Sequence, residues 1–198
     1  MLDHITQEMF LGGLAALISA TSMMIYIRTL RQNKTKPHIF TWVIWCLLCT
    51  IAAAIQIAEG AGPGAWVTVI SAILSGVIMI LAFKVGDRDI TRSDWVLFIG
   101  ALTAIPIWLM MDNPALAAII LTIIDSSAFL PTMRKVYHRP DTEPVVPFVI
   151  SSFSFFCAFA ALEHVSIETG LYVFGIGVMN LLLVLLLLWR RKALSDAN

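Results

Sequence analysis

Seven apolar stretches of roughly 18–20 residues divide this chain, at about 9–28, 39–58, 65–84, 94–111, 114–133, 145–163 and 169–189. A helix rises about 1.5 Å per residue, so each stretch is near the length needed to cross about 30 Å of hydrocarbon. Inside a bilayer every backbone N–H and C=O must find a partner without water, which leaves helices as the form such stretches can take. Composition agrees: 59% of the 198 residues are hydrophobic and 13% charged, against about 45–50% and 25% in soluble domains. The connections are too short to hold a soluble domain. The expectation is an all-α integral membrane protein with seven transmembrane helices.

Charge placement tests that count. All thirteen Lys and Arg residues fall in alternate connections: Arg28, Arg31, Lys34 and Lys36 after the first stretch, Lys84, Arg88 and Arg92 after the third, Arg134, Lys135 and Arg139 after the fifth, and Arg190, Arg191 and Lys192 after the seventh. The N-terminus and the other connections carry acids only, Asp3, Glu8, Glu59, Asp112, Glu163 and Glu168. The positive-inside rule then puts the N-terminus outside and the C-terminus in the cytoplasm. Met1 to Glu8 lacks the basic start of a cleaved signal, so the first stretch reads as a permanent helix. The basic loops read as topology signals and contacts to anionic lipid headgroups, not as a nucleic-acid site. The expected location is a membrane, the bacterial inner (plasma) membrane. Trp42, Trp45, Trp95 and Trp189 near the basic ends, and Trp66 and Trp108 near the acidic ones, read as interfacial anchors. Trp45, one turn deeper than Trp42, is the candidate for a pocket.

A short pattern occurs twice. Arg31 precedes Pro37 by six residues, as Arg134 precedes Pro140, with Thr29-Leu30 matched by Thr132-Met133. The offset is 103 at the first residues of the motif and 106 where Gly64-Ala65-Trp66-Val67 matches Gly170-Leu171-Tyr172-Val173. The second copy therefore carries three extra residues, placed in 141–147. This divides the chain into a triple-helix unit over 1–86, a linker helix over 87–112 containing Pro106, and a second triple-helix unit with a basic tail over 113–198. The arrangement is 3+1+3, with the two triplets parallel and related by an axis along the membrane normal.

Buried polar groups mark function in a membrane, because each is costly unless partnered. Asp125 is the one charged-type side chain near the middle of a stretch. It reads as a proton or substrate contact, or as a neutral acid bonded between helices. Phe129 shares its face one turn on, and Pro131 follows as a hinge or a tolerated kink. Asn180, deep in the last stretch, offers an amide to a ligand or to a neighbouring helix. Ser22 and Ser75 join these as site candidates. Gln56, Ser71, Ser151, Ser152 and Ser154 are weaker, since small residues also permit close helix contact. Cys46 and Cys49 form a C-x-x-C, but inside an apolar span, without the soluble βα setting of redox pairs. With Cys157 they read as three buried free thiols. His4, His38, His138 and His164 lie near ends or in loops, so no metal and no cofactor are expected. No catalytic motif occurs, and the chain does not read as an enzyme.

The stretch Phe129-Leu130-Pro131-Thr132-Met133-Arg134 through Arg139-Pro140, set in this 3+1+3 topology, resembles the PQ-loop pattern of the SWEET and PQ-loop (MtN3-like) superfamily of seven-helix transporters. Thr132 stands where that pattern has Gln, and Arg28 where the first half would have Pro. The resemblance implies alternating-access transport or facilitation of a small solute such as a sugar or amino acid. It implies proton coupling through a helix-5 acid, for which Asp125 is the counterpart, and solute contact from Asn180. A homo-oligomer stays open. The alternatives are a sorting receptor on the same fold and a nicotinamide riboside-like vitamin transporter. A retinal sensor needs a Lys within the last helix, and none precedes Lys192 at its end.

Overall fold

The structure, a computed structural model, describes residues 2–110 and 113–195, without the side chains of 2–6, 97, 101, 104, 105 and 107–109. The expectations for Asp3, His4, Trp108 and Asp112 fall outside the described residues. The remainder forms seven helices: α1 Leu2–Arg31, α2 Ile39–Ala58, α3 Trp66–Val85, α4 Arg92–Met110, α5 Pro114–His138, α6 Val145–Ala160 and α7 Ile167–Ser195. Short 3-10 turns occupy Gly62–Ala65 and Pro140–Thr142. By length and composition five spans can cross a membrane: Gln7–Arg31, Ile39–Ala58, Gly62–Val85, Pro114–His138 and Ile167–Ser195. This is compatible with an integral membrane protein.

Local chemistry sets the ends. Asn33 adopts φ 56° just past α1 and closes it. Thr91 and Asp94 open α4, the Thr91 N–H donating to the Asp94 carboxylate at 2.7 Å. Asn113 caps α5 by accepting from the Leu116 N–H at 3.1 Å, with Pro114 at the first helical position. Ser166 and Thr169 exchange side-chain and backbone bonds ahead of α7. α6 is 16 residues long and ends at Ala160, short of the expected 163. The Ala161 and Leu162 N–H groups turn back to Ala158 and Phe159 there. α5 and α7 instead run beyond their apolar stretches into the basic segments.

α1 packs on α3 and α6, α2 on α3 and α5, and α7 on α5 and α6, which closes a ring of six helices. α4 lies outside the ring, mainly against α5. It stays helical through Pro106, as α5 does through Pro131. The core is apolar, but large apolar side chains also cover the outside and several polar ones lie within. Phe10, Leu17, Ile73, Phe153 and Leu185 point outward with more than half their surface exposed, while Ser19, Ser71, Ser154, Asp125 and Asn180 are buried. Serine hydroxyls join helices inside: Ser19 to Ser71 at 3.2 Å, Ser22 to Ser151 at 2.8 Å, and Ser152 to the Gly177 carbonyl at 2.9 Å.

The four basic segments meet at one end of the bundle. The Lys36 N–H donates to Thr142 O at 3.4 Å, the Asp87 N–H to Pro37 O at 2.8 Å, and Arg191 to Pro140 O at 3.1 Å. The two Arg-to-Pro segments touch where the Lys135 ammonium donates to the Lys36 carbonyl, and both prolines are buried. They differ in shape. The first is a loop after Arg31, whereas Arg134 to His138 continue α5. α2 begins two residues past Pro37 and α6 five residues past Pro140, so the three extra residues lie between Pro140 and Val145.

Candidate functional site

One cavity takes in all six solute candidates named from the sequence: Ser22, Trp45, Ser75, Asp125, Phe129 and Asn180. Every helix of the ring contributes to its wall. The space open to the centre of a water-sized sphere is about 40 Å³, room for a few waters. Pro131 lies two residues beyond Phe129, toward the basic end, and is not among the lining residues.

Five rings form a continuous wall. Phe148 stands edge-on to Tyr26 at 6.0 Å between centroids, Tyr26 lies 4.8 Å from Trp42, Trp42 is 4.9 Å from Trp45, and Trp45 is 4.6 Å from Phe129. Trp42, expected at the membrane interface, is instead only 3% exposed and belongs to this wall. It faces the bundle interior with Ile39 and Trp45, three residues before and three after it on α2. Trp66, Trp95 and Trp189 are exposed.

Asp125 is 1% exposed. Its Oδ2 accepts from the Tyr172 hydroxyl at 2.8 Å, and the same oxygen of Tyr172 lies 3.2 Å from Cys49 Sγ. Asp125 Oδ1 has no partner among the described residues, nor has Trp45 Nε1. An orphaned acceptor and an orphaned donor therefore share one cavity, and orphaned buried groups are rare in native structures. Among the described residues no Lys, Arg or His lines it. The other candidates are more fully used. Asn180 Nδ2 donates to Ile176 O within α7 at 2.9 Å. The Ser22 hydroxyl lies between Pro147 O at 2.5 Å and Ser151. Gln56, outside the cavity, is buried with both amide atoms unpartnered. Of the three thiols only Cys49 is buried; Cys46 and Cys157 are half-buried, a correction to the expectation for all three. Among the described residues no three His, Cys, Asp or Glu side chains could hold a metal ion.

A polar cluster closes the basic end directly beneath the cavity. Tyr26, whose ring lines the cavity, donates its hydroxyl to Glu143 Oε2 at 2.9 Å. Glu143 Oε1 takes the Lys135 ammonium, which also donates to Lys36 O. Arg191 holds the Glu143 carbonyl at 2.7 Å. Burial pushes the Glu143 carboxyl above its ordinary range, and Lys135 opposes that shift. Alongside, Arg134 grips Asp94 through two bonds at 3.1 and 2.9 Å, and His38 Nε2 lies 3.4 Å from Asp94. Burial holds the His38 imidazole below its ordinary value, with Asp94 acting the other way. Glu143 lies in the three-residue excess of the second motif, so that excess was its one trace in the sequence. Comparison with family models, with curated proteins and with solved structures found no match.

Proposed function

We propose that this chain is a small-solute membrane transporter or facilitator working by alternating access, with the basic end in the cytoplasm and the solute held at the central cavity. The observation that carries the reading is a cavity with polar spots at the meeting point of six helices, with an unpartnered carboxylate oxygen on its wall. Tyr172 bonds one oxygen of Asp125 between α7 and α5, and the second oxygen and the space beside it are what a solute or a proton would use.

The packing order supports the 3+1+3 reading. Around the ring the helices run 1, 3, 2, 5, 7, 6. Exchanging helices 1–3 with 5–7 returns the same ring, and α4 stands outside it. Trp42 and Phe148 are each the fourth residue of their helix, and both pack on Tyr26. Tyr26 and its repeat counterpart Phe129 flank the two tryptophans. These features favour the architecture of the SWEET and PQ-loop superfamily, in which two parallel triplets rock about a site between them.

The cluster of Tyr26, Glu143 and Lys135 serves as the inner gate, since it ties α1, α5 and the segment before α6 on the cytoplasmic side of the cavity. Pro131 on α5, which frees a carbonyl from its helical bond, serves as the hinge. Asp125 takes up a proton when exposed to one side and releases it on the other, with Tyr172 holding its second oxygen. The test begins with a thermal-shift screen of sugars, amino acids, vitamins and small amines. Uptake of the best-stabilising solute into proteoliposomes is then measured with and without a pH gradient. Wild-type uptake responds to the gradient, and Asp125→Asn, still folded, does not. Equal gradient response in the variant overturns the proton linkage, and absence of uptake of any stabilising solute overturns transport.

A further inference from the structure

The geometry points to a small organic cation lacking an anionic group, of the methylated-ammonium kind, as the solute the cavity takes. This rests on the reading of the cavity as the solute site. Three features of the wall carry it together. The five-ring chain from Phe148 to Phe129 presents aromatic surface to the space, and aromatic faces attract ammonium groups by about 2 kcal/mol where water is excluded. Among the described residues Asp125 supplies the one carboxylate on the wall, with an oxygen that none of their groups uses. None of the described Lys, Arg or His residues lines the cavity to meet a solute's carboxylate or phosphate. An anion brought there would stand near Asp125 without a counter-charge, a buried arrangement that costs several kcal/mol.

A sugar is served less well. Its hydroxyls each need a partner, while Asn180 Nδ2 and the Ser22 hydroxyl are already bonded to protein. The unpartnered Trp45 indole N–H adds one donor, suited to a single hydroxyl or carbonyl on the cation's tail. The titratable groups facing Asp125 are Tyr172 on α7 and Cys49 on α2, both ordinarily neutral, so nothing nearby competes with a bound cation for its charge. A proton takes the cation's place when the cavity is empty of solute, and the two therefore alternate on one carboxyl group.

The experiment uses the full chain in detergent, with binding followed by quenching of tryptophan fluorescence, to which Trp42 and Trp45 contribute. Choline and tetramethylammonium are compared with 3,3-dimethylbutan-1-ol, a neutral shape-match of choline. The cations bind at least about tenfold more tightly than the neutral compound, the equivalent of about 1.4 kcal/mol. Asp125→Asn removes that preference. Equal binding of choline and its neutral match by the wild type overturns the proposal without recourse to any variant, as does absence of cation binding at millimolar concentration. Uptake assays separate this from transport itself. A neutral solute carried across the membrane refutes the cation class and leaves transport standing. Cation binding with no uptake does the reverse.

Discussion

Replacing Glu143 by Leu tests the closure of the basic end most sharply. Lys135 and Glu143 have side chains 3% and 1% exposed, so neither charge is rescued by water if the other is removed. In Glu143→Leu the ammonium keeps one acceptor, Lys36 O, and the Tyr26 hydroxyl loses its own. Breaking a buried pair in this way costs about 3–5 kcal/mol. Lys135→Met strands the carboxylate instead, with Tyr26 as its remaining side-chain donor. The expected cost is at the low end of the same range, because burial already favours the protonated acid. The double variant removes both charges together. What remains orphaned is the Tyr26 hydroxyl and the Lys36 carbonyl, so the double should lose about 1–3 kcal/mol, well short of the sum of the singles. The assay is reversible unfolding in mixed micelles, followed by circular dichroism, for all four members of the cycle. Singles within about 0.5 kcal/mol of wild type, or losses that simply add, would refute the reasoning.

Three further outcomes follow from the same contacts. Tyr172→Phe leaves Asp125 with neither oxygen bonded to protein; a bond to a charged group is worth about 1.5–3 kcal/mol, and its loss should appear as a lower melting temperature together with altered pH dependence of solute binding. Gly12→Ala places a methyl group 2.5 Å from both the Cβ and the carbonyl oxygen of Pro63, backbone included, so it should destabilise by about 1–3 kcal/mol, whereas Gly100→Ala meets nothing within 4 Å and should not. His38 binds its proton more weakly folded than unfolded, so its contribution to stability is complete above pH 6.5 and declines as pH falls below that value toward the folded pKa; melting temperatures at neutral and mildly acidic pH should show a drop that His38→Asn lessens, and an undiminished drop would contradict it.

Much of this molecule was readable before any fold was known, for a physical reason. The bilayer forces a one-to-one relation between apolar length and helix, and the boundaries of α2, α3 and the start of α5 follow it within a residue. Four of the six cavity residues, Ser22, Ser75, Asp125 and Asn180, were legible because polar groups within apolar runs are few and the bundle centre is where they can go, while Phe129 and Trp45 followed from helical spacing. Helix ends were less legible. Arg134 to His138 read as loop because they are charged, yet α5 continues through them, since hydropathy reports the edge of the apolar run rather than the end of the helix. The least legible contacts were pairings across the chain. Tyr172 entered as a repeat marker, and nothing in its neighbours on the sequence says that it holds Asp125, 47 residues away. Glu143 meets Tyr26 across 117 residues. Trp42 misled because the tryptophan rule concerns depth alone, and a ring near a helix end can still face inward.

Access to the cavity from both sides of the membrane is the central claim, and Cys49 is a native probe for it. Its thiol lines the cavity beside Tyr172 and is the only buried one of the three cysteines. In a Cys46→Ser, Cys157→Ser background, a membrane-impermeant cationic thiol reagent is applied to right-side-out and to inside-out vesicles. Alternating access predicts that Cys49 is modified from each face, and that a crosslink holding the basic end shut abolishes modification from the cytoplasmic face alone. Modification from one face only, or from neither, would contradict the account.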